Sequence, residues 1–117
     1  LFPYVIWSKR TLNETIVQQA IALFLGEQDF SSFRSGECQA KTPIRNIYDF
    51  RCDKKASIYI FEITANAFLH HMIRKIMGAI YEIAVERKKL GWLQHLIMAR
   101  NHQLNPYMLP AKGLHLY

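Results

Sequence analysis

The chain has 117 residues, half of them hydrophobic and 13% aromatic, with a formal charge of +6. That length suits one domain, this apolar content excludes a disordered chain, and no apolar run reaches the ~20 residues of a membrane-spanning helix. The surplus of Lys and Arg suits a polyanionic partner such as RNA, or an anionic membrane surface; a soluble protein that is merely basic fits equally well.

In chain order, residues 1–12 read as an entry linker or strand, with Tyr4 to Trp7 its apolar part. Asn13 is a good helix N-cap, and Thr11 with Glu14 is a competing capping box. Ile16, Val17, Ala20, Ile21 and Phe24 recur at helical spacing, which predicts a helix over 14–25 with Gly26 as its C′ residue. Residues 27–36 read as loop, in which Asp29, Ser31 and Ser32 offer local side-chain caps for a short helical turn and Phe30 and Phe33 are anchors. Residues 34–41 read as a mobile polar stretch.

Residues 44–52 alternate: Tyr48, Phe50 and Cys52 point one way, Arg45, Ile47, Asp49 and Arg51 the other. A polar loop over 53–56 and a second strand over 57–65 complete a hairpin. Residues 66–68 make a turn into a long helix over 69–87, whose buried stripe is Leu69, Met72, Ile73, Ile76, Ile80 and Ile83. Gly78 weakens that helix, so close packing against a neighbour is its expected reason. A third helix over 91–100 buries Trp92, Leu93, Leu96 and Ile97. Residues 101–112 are irregular around Pro106 and Pro110, and 113–117 form a last strand. The order implies an α+β fold: an antiparallel or mixed sheet covered by helices on one face. Residues 1–117 form a single domain.

Cys38 and Cys52 show no motif spacing and read as reduced thiols of a cytoplasmic protein. No signal-peptide pattern is seen. The chain begins Leu1-Phe2-Pro3 without Met and stops at Tyr117, inside a predicted strand, which suggests a piece of a longer protein.

The chemistry gathers where the second strand meets the long helix, around Asn66, His70, His71, Arg74 and Lys75. Adjacent histidines on a helix point apart, and neither has a second ligand at metal spacing, which speaks against zinc. Arg74 lies one turn after His70, on the flank of the apolar stripe. It is either a solvated arginine or a fork for a carboxylate or phosphate. Arg34, Lys41, Arg45, Arg51 and Lys75 interleave with Phe30, Phe33, Tyr48 and Phe50. The cations suit phosphates, and the aromatics suit either a core or base stacking. No nucleophile elbow, P-loop or dinucleotide fingerprint occurs. Asp29, Asp49 and Asp53 sit in no catalytic frame.

The run Ala65-Asn66-Ala67-Phe68-Leu69-His70-His71-Met72-Ile73-Arg74-Lys75-Ile76-Met77-Gly78 closely resembles a motif of the tRNA pseudouridine synthase A family. So do Phe24-Leu25-Gly26-Glu27-Gln28-Asp29-Phe30-Ser31-Ser32-Phe33-Arg34, then Cys38-Gln39-Ala40-Lys41-Thr42-Pro43-Ile44-Arg45, then Pro110-Ala111-Lys112-Gly113-Leu114. The four blocks occur in family order. The resemblance implies isomerisation of uridine to pseudouridine at positions 38 to 40 of the tRNA anticodon stem-loop, with no metal and no organic cofactor. It implies that this chain is the C-terminal half of an enzyme that is usually a homodimer and has no membrane partner.

The family's aspartate lies in an Arg-Thr-Asp motif, which this sequence lacks, so the chain alone is expected to be inactive. The resemblance places Arg74 as the arginine that pairs with that aspartate, and Met72 and Ile73 near the uracil. It offers Arg34, Lys41, Arg45, His70, His71 and Lys75, with Asn66, as substrate-binding residues. His115 departs from the family, where an aromatic is expected. The alternative reading is a non-catalytic RNA-binding or dimerisation module.

Overall fold

The computed structural model describes residues 2–7, 11–38, 40–56, 58–110 and 115–116, with 2–7 and 115–116 described as backbone. Its elements are β1 (Phe2–Trp7), α1 (Glu14–Ala22), β2 (Gly26–Asp29), a 3-10 turn (Ser31–Phe33), β3 (Ile44–Lys55), β4 (Ile58–Ala65), α2 (Met72–Ala84), α3 (Leu90–Ala99), a second 3-10 turn (His102–Leu104) and β5 (His115–Leu116). The strands form one sheet in the order β2-β3-β4-β1-β5, and every neighbouring pair is antiparallel. The fold is α+β, as predicted. Of the predicted last strand, 115–116 is described; 113–114, 117 and the tail motif over 111–114 lie outside the described residues, as do Gln39 and Ser57. No helix among the described residues is long and apolar enough to cross a membrane.

The core forms where the sheet meets the helices. Tyr59, Phe61 and Ile63 alternate inward along β4 and meet Ile47 and Phe50 of β3, together with Ile76, Ile80 and Ile83 of α2. Phe24, Phe30 and Phe33 fill the space beside them, and the Phe24 and Phe33 rings meet edge-on at 5.2 Å. The buried Tyr59 hydroxyl is satisfied by accepting the Leu12 N–H at 3.1 Å. Asn13 is the cap of α1: its side chain accepts the Ile16 N–H at 3.2 Å. Its own N–H donates to the Ala84 carbonyl at 3.0 Å, tying the start of α1 to the end of α2.

Several expectations are corrected. α1 ends at Ala22, not at 25, and Gly26 opens a strand at φ +93° rather than closing the helix. That strand, β2, replaces part of the loop expected over 27–36. Gly-Glu-Gln-Asp carries no apolar alternation, and its strand state comes from pairing with β3 at the sheet edge. The expected alternation on β3 fails at a bulge. Ile47 pairs with Ala65 and Asp49 with Thr64, so Tyr48 is the extra residue. A bulge resets the side-chain faces; Ile47 and Phe50 are therefore both buried, while Tyr48 is exposed. The hairpin is also tighter than expected, with pairing continuing to Lys55 opposite Ile58.

α2 runs over Met72–Ala84 rather than 69–87. Trp92 and Ile97 of α3 are only partly buried, unlike Leu93 and Leu96. Gly78 has the expected reason: a Cβ there would lie 2.8 Å from the Met108 backbone nitrogen.

Candidate functional site

The site is built at the handover from β4 to α2. Asn66 extends the hairpin beyond Ala65. Its N–H donates to the Asn46 carbonyl at 3.1 Å, and its side-chain oxygen accepts the N–H groups of Asn46 at 2.9 Å and Ala67 at 3.0 Å. That oxygen is committed to the backbone. α2 then begins later than its apolar pattern suggested, because His71 adopts the left-handed conformation at φ +64°. A non-glycine residue held there costs on the order of 1–3 kcal/mol, and such residues cluster at functional sites. The two histidines therefore do not diverge as helical neighbours would. Their rings stack, with centroids 3.8 Å apart. Burial pushes the His71 imidazole below its ordinary range, helped by the charges of His70, Arg74 and Lys75 and opposed by Glu37.

The first turn of α2 carries the next two cations, and both are held by the segment 105–109. Arg74 Nε donates to the Leu109 carbonyl at 2.7 Å, while the Leu109 N–H returns to the Arg74 carbonyl at 3.0 Å. Lys75 Nζ reaches the Asn105 carbonyl at 3.3 Å, and burial lowers its pKa. The buried Asn105 side chain is in turn fixed on the Ser32 carbonyl at 2.9 Å. Gly78 lets Met108 lie directly on the helix. Arg74 is thus oriented by a neutral carbonyl and has no carboxylate partner among the described residues. Ile73 is half-buried beside it. Met72 is a correction: it is 1% exposed within the core, so it presents no wall to a ligand in this domain. Its sulfur accepts the Leu69 N–H at 3.5 Å, closing the turn before the helix.

The loop after the first 3-10 turn adds cations from the other side. The Ser35 N–H donates to the His70 carbonyl at 3.1 Å, joining this loop to the histidine pair. Arg34 Nη2 donates to the Cys38 carbonyl at 3.0 Å and the Ala40 carbonyl at 3.4 Å. Arg45 Nη1 donates to the Thr42 carbonyl at 3.0 Å and the Ile44 carbonyl at 2.7 Å. Its Nε is buried with no hydrogen-bond partner among the described residues. The Cys38 thiol is shifted down, chiefly by the Ala40 N–H against the opposing effect of burial, then by the His70 N–H, Arg34 and Arg45. The half-buried Cys52 thiol in the sheet is pushed up to about 12, first by its burial and then by Asp53 and Glu14. Both thiols are free. Lys41 is exposed. Among the described residues, no three His, Cys, Asp or Glu side chains are grouped to hold a metal ion.

Ser35, next to Arg34, is thus bonded to His70, and Arg74 and Lys75 are held by one segment. A family model described as tRNA pseudouridine synthase matches residues 20–117. The chain belongs to the tRNA pseudouridine synthase family. It is 39% identical over 112 residues to a Legionella pneumophila (strain Corby) protein named tRNA pseudouridine synthase A, covering 96% of this chain and 43% of that protein. A protein of the same name from Bordetella avium is 41% identical over 110 residues, 94% of this chain and 41% of its own length. One from Francisella philomiragia is 39% identical over 115 residues, 98% and 45% respectively. The chain spans less than half the length of these relatives.

Two features of this pseudouridine synthase domain were not read from its sequence. One is the clamp of Leu109 on Arg74, a contact across 35 positions that no local pattern announces. The other is the gathering of Arg100 and His102 beside Arg34 around a cavity. The polar run Arg100-Asn101-His102, placed at a helix end, was the available signal.

Proposed function

We propose that the chain is the C-terminal half of a tRNA pseudouridine synthase that isomerises uridine to pseudouridine at positions 38 to 40 of the anticodon stem-loop. The observation that carries the tRNA pseudouridine synthase part of this reading is the 39% identity over 96% of this chain to a protein named tRNA pseudouridine synthase A, of which it spans 43%. The catalytic aspartate comes from the remainder of the enzyme, and Arg74 receives it. An aspartate beside an arginine has its pKa lowered by ~1–3 units, which keeps it ionised and aimed. The reaction breaks the N1–C1′ bond of uridine and forms a C5–C1′ bond. C5 loses its proton to solvent and N1 gains one, so no oxidant or cofactor enters.

Ile73 flanks the uracil, whereas Met72 supports it from the core. Arg34, Lys41, Arg45, His70, His71 and Lys75 contact the tRNA backbone, with Asn66 holding the turn that presents the histidines. The unpartnered Arg45 Nε supports this, because a buried donor without an acceptor costs about 1–3 kcal/mol unless a ligand supplies one.

The test is tritium release from tRNA labelled at uridine C5, comparing this chain with the complete gene product. Release by the complete protein alone is the expected result. Release by this chain alone would move the catalytic carboxylate to Asp29, Asp49 or Asp53. Release by neither would favour the non-catalytic RNA-binding module.

The enzyme works as a homodimer in the cytoplasm, in line with its free thiols. The apolar groove of about 450 Å3 between Leu23, Ile97 and Met98 supports a dimer contact, with Met98 77% exposed. Met98→Glu is expected to yield monomers in analytical ultracentrifugation.

A further inference from the structure

A polar cavity of about 270 Å3 adjoins Arg34, which lines it together with Ser31, Ser35, Arg100, Asn101 and His102. Its walls are fixed by hydrogen bonds between side chains and backbone. The fully buried Ser32 hydroxyl donates to the Leu96 carbonyl at 2.6 Å and accepts the Asn101 N–H at 3.0 Å. That pins the end of α3 to the first 3-10 turn. Arg100 ends α3 in the left-handed conformation at φ +52°. The Asn101 side chain then caps the turn carrying His102 by accepting the Gln103 N–H at 3.0 Å. Gly36 lets the loop lie against the His102 ring, since a Cβ there would sit 3.1 Å from its Cε1.

The chemistry of this lining has one sign. Two arginines, a histidine and two serines are among its lining residues, and no carboxylate-bearing residue lines it. Asp29, the nearest acid to Ser31 in sequence, has an oxygen on the Ser31 N–H at 2.8 Å. Neither Arg34 nor Arg100 has an ion-pair partner among the described residues. The Ser35 hydroxyl accepts the Glu37 N–H at 3.0 Å, which leaves its proton to donate. A tetrahedral anion with several acceptor oxygens suits this set of donors.

We infer that this cavity is a phosphate subsite that takes one backbone phosphodiester of the tRNA, beyond the uridine-proximal residues. The inference rests on the tRNA reading above. A backbone phosphate fits better than a free one because the cavity adjoins the proposed tRNA surface: its Ser35 is bonded through its N–H to His70.

The experiment measures tRNA affinity of the complete gene product across a salt series at fixed pH, for the unmodified protein, Arg100→Gln, and Arg100→Gln with His102→Gln. Each lost phosphate contact lowers the slope of log affinity against log salt by about 0.7–0.9. The expected result is that drop, with affinity about three- to tenfold weaker at low salt, while Arg100→Lys keeps the slope. Arg100 is exposed, so the melting curve of Arg100→Gln should match that of the unmodified protein. An unmodified slope in the double variant, with tritium release intact, overturns the subsite and leaves the proposed activity standing. Weaker binding with an unchanged slope also overturns it. Inorganic phosphate that displaces tRNA at constant ionic strength equally from the unmodified protein and Arg100→Gln overturns it too. If the complete protein neither binds tRNA nor releases tritium, the subsite falls with the reading it rests on.

Discussion

Arg74 and Arg87 flank the two ends of α2 and are held in opposite ways. Arg87 follows the helix C-terminus, where the helix dipole favours a cation. It is paired with the buried Glu82, its Nε 3.1 Å from Oε1, and lies 5.6 Å from the Tyr81 ring. Arg74 stands in the first turn, where the dipole opposes a cation by about 0.3–1 kcal/mol. It is oriented by the Leu109 carbonyl and has no carboxylate partner among the described residues. An arginine neutralised within its own domain is structural. One that is aimed but not neutralised, against the dipole, is suited to a carboxylate from outside.

The largest effect that would break this contrast is expected at Arg74. In the complete gene product, Arg74→Ala should slow single-turnover tritium release by about 10²–10³-fold, the usual size for losing one preorganised electrostatic partner. tRNA affinity should change little. A loss of rate that is matched by loss of affinity would reduce Arg74 to a binding residue.

Gly78→Ala comes next, because it tests the aim of Arg74 rather than its charge. The new Cβ would press 2.8–2.9 Å against the Met108 backbone and lift the segment that holds Leu109. Overpacking of this kind costs about 1–3 kcal/mol, to be read as a lower Tm. Turnover should fall further than stability alone explains, with tRNA affinity retained. A lower Tm with unchanged turnover would mean that the 105–109 segment only covers the helix.

The contrast also separates what the sequence revealed from what it hid. Strong periodicity placed α2 and β4, and Asn13 marked the start of α1. The expectation of close packing at Gly78 held, but the partner did not show, because Met108 lies in a stretch with no pattern of its own. β2 escaped because edge pairing, not apolar alternation, holds Gly26–Asp29 in the sheet. The facing of Tyr48 was inverted by one extra residue at the bulge. The histidine pair was misjudged because periodicity continues through Leu69 while the backbone breaks at His71. Local pattern reports which faces are apolar. It does not report which carbonyl, 35 positions away, orients Arg74.

Arg87→Ala sharpens the comparison from the other end. It leaves the buried Glu82 carboxylate without its cation and loosens the turn in which the Arg87 and Lys88 N–H groups bond the Glu82 carbonyl at 3.0 and 3.1 Å. Tm should fall, while tritium release and tRNA affinity at the assay temperature stay as in the unmodified protein. A selective loss of turnover would show that both ends of α2 serve the reaction.

The smallest effect is the pH dependence from His71. Its pKa in the folded chain lies below the ordinary 6.5, first through burial and then through His70, Arg74 and Lys75, with Glu37 opposing. The unfolded chain therefore takes up this proton first as pH falls. The contribution to stability is full above the unfolded value, is lost as pH drops from 6.5 toward the lower folded value, and is constant below it. Tm should decline across that window, and His71→Gln should flatten the decline. Bound tRNA should reverse the sign, because a phosphate beside the imidazole favours its protonated form. Affinity should then tighten on acidification more in the unmodified protein than in His71→Gln. An identical pH dependence of affinity in the two proteins would place His71 away from the phosphates and confine its role to shaping the start of α2.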